Sequence, residues 1–150
     1  MSMPKLREQL SAIEPDDGTY EGIGAPEVDL LVQLLDVKEA WLAARAAHAL
    51  SRIDAEPARS AVLAATWSSR PEIRVAVAAS AGALPPEVSD KVLSRLLNDP
   101  EIGVRKFAIK SACDSNGSPI RQRLEEIATA DASTAVRQIA EEKARSLSDP

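Results

Sequence analysis

Aliphatic positions recur along this chain with a fixed period. Leu31, Val62, Leu93 and Leu124 stand 31 residues apart, and Leu34, Ala65, Leu96 and Ile127 repeat the spacing three residues later. Self-similarity at such a period is the mark of a repeat architecture, in which each unit buries its apolar face against its neighbours. A further series, Leu42, Ile73, Val104 and Val136, follows at spacings of 31, 31 and 32. Each of these residues opens an alanine-rich stretch, and in the last three the aliphatic is followed directly by Arg74, Arg105 or Arg137.

Within each period the pattern is helical. Val92, Leu93, Leu96 and Leu97 form a stripe at helical spacing, and Val136, Ile139 and Ala140 form a thinner one. Sustained alternation with period two, the mark of a half-buried strand, is absent, so no sheet is expected. Pro26, Pro57, Pro86 and Pro119 stand where the first helix of each pair begins, a position at which the missing N–H of proline costs nothing. First helices are predicted near 26–35, 57–67, 86–97 and 119–129, and second helices near 38–53, 71–84, 100–113 and 133–147. Asp99, Asp131 and Ser69 are candidate caps for second helices. Leu6, Leu10 and Ile13 predict a short leading helix that covers the first pair, and the glycines from Gly18 to Gly24 predict a loop after it.

The expected fold class is therefore all-α: a right-handed α-solenoid of about four HEAT-like helix pairs with a short N-terminal capping helix. Residues 1–25 form the capping helix and an acidic loop. Residues 26–150 form the array, with repeats at about 26–55, 56–85, 86–117 and 118–147. The polar last helix, with Glu141, Glu142, Lys143 and Arg145, is expected to end it.

Two helices in about 31 residues, an aspartate near the turn and an aliphatic-arginine pair opening the second helix resemble the HEAT-like repeats of the phycobilin-lyase type. The resemblance is clearest in Asp99-Pro-Glu-Ile-Gly-Val-Arg105 and Asp131-Ala-Ser-Thr-Ala-Val-Arg137, and weakest in the first pair, where Ala43 replaces the arginine. It implies a structural ladder through Arg74, Asp99, Arg105, Asp131 and Arg137, and a binding scaffold whose second helices line the concave side.

Charge is unevenly spread. Residues 14 to 39 carry eight carboxylates against Lys38 alone, whereas Lys91 to Arg123 holds seven cations against Asp99, Glu101 and Asp114. The net charge of −5 argues against general attraction for phosphate backbones, so nucleic-acid binding by the superhelix is a minor alternative. No apolar run reaches the ~20 residues that span a bilayer, and no secretion signal opens the chain, so a cytoplasmic protein without membrane contact is expected.

Candidate chemistry is sparse. His48 is the sole histidine and Cys113 the sole cysteine. No disulfide within the chain or multi-cysteine zinc site is then possible, and no triad is legible. No metal, cofactor or catalytic residue is assigned, and the chain is expected not to be an enzyme. It is expected instead to be a non-catalytic protein-protein interaction scaffold or adaptor that binds a partner protein or peptide of unknown identity on the face of the second helices. The candidate contacts are Trp41, Arg45, His48, Lys106 and Lys110, which fall between the buried positions of the repeat. His48 is expected to face solvent or the partner, Trp67 to be packed, and Trp41 to pack at the core or its edge or else to stand exposed at the groove. A lyase-like or accessory subunit of a protein-modifying enzyme is the alternative from the enzyme class. A monomer with at most weak self-association is expected.

Overall fold

The computed structural model describes residues 1–147. Among these it contains nine α-helices and no strand: α1 (Met3–Leu10), α2 (Val28–Leu34), α3 (Ala40–Ser51), α4 (Glu56–Ala65), α5 (Pro71–Ser80), α6 (Pro86–Leu96), α7 (Ile102–Ser111), α8 (Ser118–Ala130) and α9 (Thr134–Ser146). Short 3₁₀ turns occupy Asp17–Tyr20, Ala25–Glu27 and Ala81–Ala83. After α1, the helices follow the pairing read from the period. Pro86 opens α6, Pro57 and Pro119 are the second residues of α4 and α8, and Pro26 lies in the turn leading into α2.

All three repeating series are core. Leu31, Leu34, Leu42, Val62, Leu93, Leu96, Val104, Leu124 and Val136 are at most 1% exposed, with Ala65, Ile73 and Ile127 close behind. A fully buried aliphatic side chain contributes about 1.5–3 kcal/mol through lost contact with water, so these positions dominate the stability of each pair. In α3 the buried Ala43, Ala46, Ala47 and Ala49 spread over much of the helix circumference and allow close approach of its neighbours α1, α2 and α4. Alanine does this without loss of side-chain entropy.

The chain divides into two compact units, Met1–Ala76 and Val77 onward. In the first, α1 packs on α3, burying Leu6 and Leu10 completely. Ile13, expected on the same helix, lies beyond its end and is 95% exposed, because α1 stops at Leu10 and Ser11 turns its hydroxyl back onto the Arg7 carbonyl. The segment after α1 is ordered by a capping box between Asp16 and Thr19, and the Gln9 side chain donates to the Thr19 and Glu21 carbonyls. Gly22, with φ of +76°, supplies the left-handed turn that follows.

In the second unit α6 packs on α7 and α8, and α9 packs on α7 and α8. Asp90 of α6 accepts from the Gly117 amide and from the buried Asn116 side chain, which also donates to Ser89. That contact satisfies a free amide at the start of α8 and fixes the turn before it. Asp99 and Asp131 do not cap their helices directly. Each accepts from the amide two residues on, Glu101 and Ser133, and Ser133 caps α9. Before α5 it is Ser68, not Ser69, that accepts from the Arg70 amide.

Candidate functional site

In the first unit, Trp41, Arg45 and His48 of α3 and Arg52 at its C-cap fall four, three and four residues apart and make one stripe. The N-terminal segment covers part of it. Arg45 donates one guanidinium nitrogen to the carbonyls of Leu10, at 2.6 Å, and of Ala12. These carbonyls are at or just beyond the C-terminal end of α1, where cations are favoured. The same guanidinium lies 5.3 Å from the Trp41 ring centroid, and Trp41 is 48% exposed.

His48 lies one turn further on, half-buried, its ring edge-to-face with Tyr20 at 4.9 Å. Burial is the main cause that lowers its pKa, the nearby Arg52 cation adds to the effect, and Asp17 opposes it. Burial raises the pKa of Tyr20, against the pull of Arg45 and Arg52. Arg52 stacks 4.9 Å from the Tyr20 ring and pairs with the exposed Asp17 at 3.1 Å. Of the three contacts proposed on α3, Trp41 thus stands open, Arg45 is held by α1, and His48 packs under the 3₁₀ turn Asp17–Tyr20.

Arg70, not singled out from the sequence, performs the same service for α2 that Arg45 performs for α1. It donates to the carbonyls of Leu35, at 3.2 Å, and Val37, at 2.5 Å, just past the end of α2. Both arginines reach back 35 and 33 residues. Beside Arg70 a cleft of about 270 Å³ is lined by Val32, Leu35, Ala61, Ala64 and Ile73 among others. Trp67, expected to be packed, is 72% exposed: α4 ends at Ala65, and Trp67 lies in the turn that follows it.

In the second unit, Arg105 and Asp131 form a two-pronged ion pair, Nε to Oδ2 at 2.9 Å and Nη2 to Oδ1 at 3.0 Å, with side chains only 13% and 8% exposed. Arg105 also donates to the Asp99 carbonyl at 3.0 Å, and Arg137 donates to the Asp131 carbonyl at 2.6 Å. Burial pushes the Asp131 pKa up, but the hydrogen bonds from Arg105 and the Ser133 amide, with the charges of Arg105 and Arg137, together hold it down. Arg74 donates to the Ser68 carbonyl at 2.8 Å within the first unit. Of the basic stretch, Arg105, Arg121 and Arg123 each face a carboxylate, Asp131, Asp114 and Glu126 respectively.

Lys106 and Lys110 lie on α7 beside Phe107, which is 40% exposed, and the Lys110 ammonium sits 5.5 Å from its ring centroid. Across α7 and α9 a second cleft, of about 310 Å³, is lined by Ile109, Lys110, Ile139, Glu142, Lys143 and Ser146. Among the described residues no cluster of three or more histidine, cysteine or carboxylate side chains is placed to hold a metal ion. No helix among them is long and apolar enough to cross a membrane.

The sequence matches no family model and no curated protein. Among solved structures, a chain from the complex of CpcE and CpcF of phycocyanin lyase from Nostoc sp. PCC7120 superposes with a TM-score of 0.70 at 21% identity, over 94% of this chain and 96% of that one. Two designed armadillo repeat proteins, one made for modular peptide recognition, align over 98% of this chain and 100% of theirs at 13% and 15% identity. Their TM-scores of 0.28 and 0.29 are too low to carry weight. The likeness to the lyase chain corrects the expectation that this protein is not an enzyme. A fold shared with a chain of an enzyme does not argue against catalysis, and a shortage of histidine and cysteine cannot outweigh that, since aspartate, arginine and tyrosine also handle protons and charge. The repeat period, the buried series and this superposition agree on the fold: the chain is an all-α protein of HEAT-like helix pairs.

Proposed function

We propose that this helical-repeat protein seats a protein or peptide partner on the exposed positions of its second helices, and that it does so as a subunit or accessory of a lyase-type, protein-modifying enzyme. The observation that carries the first part is the placement of large apolar side chains outside the core on those helices. Trp41 opens α3 and Phe107 lies midway along α7, each against a cation of its own helix, Arg45 and Lys110. Exposed aromatic anchors backed by cations are the side chains that dominate protein recognition, because they bury much area with few rotatable bonds. The fold it shares with a phycocyanin lyase chain supports the second part.

The test is capture of tagged protein from its native cell, followed by mass spectrometry and a visible absorption spectrum of the captured complex. Wild type should retain a defined partner. Trp41→Ala and Phe107→Ala should each lose it by about tenfold while their melting temperatures stay within a few degrees of wild type, as befits exposed positions. Normal capture by both variants would show that the second-helix face is not the docking surface. A partner that never carries a covalent modification dependent on this chain would remove the enzyme-subunit part alone.

A further inference from the structure

The second helix α7 carries a stripe of Gly103, Lys106, Phe107 and Lys110 at helical spacing. A side chain at Gly103 would meet no atom within 4 Å, so the stripe is open beside the Phe107 ring. Lys110 belongs to two features at once: its ammonium lies over that ring, and its side chain lines the cleft between α7 and α9 whose apolar walls are Ile109 and Ile139. Lys143 of α9 lines the same cleft and donates to the Lys110 carbonyl at 3.0 Å. Arg105, the other cation of α7, is turned away into its pair with Asp131.

From this we infer that the α7–α9 face binds an acidic peptide segment of a partner protein, with one aliphatic or aromatic side chain of that segment entering the cleft. The inference rests on the partner-binding reading above and names the chemistry of the partner for this one face. Charge complementarity decides the occupant. Lys110 and Lys143 line an apolar cleft against the single lining carboxylate of Glu142, and Lys106 adds a third cation one turn before Lys110 on α7. An apolar side chain gains from leaving water for the isoleucine walls, while flanking carboxylates meet ammonium groups whose stems already cover apolar surface. Nucleic acid is the poorer fit. One aromatic ring, Phe107, offers little for successive bases to stack on.

The full-length protein tests this with three labelled probes, read by fluorescence anisotropy and by amide shifts in ¹⁵N-labelled protein. One probe is a peptide of glutamates around a central leucine, the second replaces the glutamates by lysines, and the third is a single-stranded oligonucleotide of the same charge as the first. The acidic peptide should bind at least tenfold more tightly than either other probe, should shift amides of α7 and α9, and should weaken steeply between 50 and 500 mM salt. The Lys106→Gln/Lys110→Gln double variant should lose that binding tenfold or more, while Lys5→Gln, an exposed cation removed from α1 in the first unit, should leave it unchanged. Equal binding of the lysine peptide, equal or tighter binding of the oligonucleotide, or an undiminished double variant would each overturn the inference. Light scattering that shows dimers, lost in the double variant, would also overturn it, by making the acidic segment of a second copy the occupant. If native capture depends on Trp41 yet the acidic peptide fails to bind, the acidic chemistry is wrong and the partner-binding reading stands.

Discussion

Two side chains, one from each unit, contribute to the acid response of this protein. His48 is ordinarily titrated near pH 6.5, and burial beneath Tyr20 with Arg52 alongside lowers that value in the folded chain. As pH falls through about 6.5 the unfolded chain therefore takes up a proton before the folded one does, and stability declines until the folded pKa is passed. Asp131 works at lower pH. Its depressed folded pKa gives stability that is complete above about pH 4 and is lost as pH falls toward the folded value. Urea midpoints measured from pH 8 to pH 5 should fall for wild type, and the His48→Gln variant should flatten that slope. An unchanged slope in the variant would mean that His48 is not the group responsible. That His48 titrates low was not legible in the sequence, because its partner Tyr20 comes from a glycine-flanked stretch read only as a loop. The Asp16 and Thr19 spacing, a capping pattern, was the signal that this stretch is ordered.

Helix elements were more legible than the contacts between them. A proline near each first-helix start and an aliphatic residue three positions apart define the elements locally, through φ and through the 3.6-residue turn. What joins elements is a set of long-range donations onto helix-end carbonyls. Arg45 and Arg70 do this in the first unit, and Ser111 and Lys143 reach the carbonyls of Ala78 and Lys110 in the second. Two glycines of the second unit separate local from tertiary demands. A Cβ at Gly82 would lie 3.2 Å from the Ser111 carbonyl oxygen, whereas one at Gly103 would touch nothing. Gly82→Ala should therefore destabilise by about 1 kcal/mol, the cost of moving a packed backbone apart. Gly103→Ala, within the first turn of α7, should be neutral or stabilise by up to about 1 kcal/mol, the helix-propensity difference. Paired thermal melts decide the point, and equal losses in both would mean that α7 is not closely approached at its far end.

At the scale of the whole molecule, α1 acts as part of the core of the first unit, with Leu6 and Leu10 fully buried against α3 and Arg45 closing its carbonyl end. Leu10→Ala should cost about 2–4 kcal/mol, as large-to-small changes do at sites that cannot collapse, and should lower the urea midpoint accordingly. A loss below ~1 kcal/mol would show that α1 only rests on the surface. Sequence periodicity by itself determined the helices and their buried positions, because aliphatic side chains recurring at helical spacing leave water only when helices pack face to face. Tertiary structure alone decided which polar groups are spent inside the fold and which remain available. Arg45, Arg70 and Arg105 are equally charged in the sequence, yet each is consumed by carbonyls or a carboxylate brought from 26 to 35 residues away. Lys110 keeps its ammonium at the surface over Phe107. The reason is physical: apolar burial depends on position within a helix and is written in local spacing, whereas the satisfaction of a charge depends on which distant atoms the folded chain carries to it.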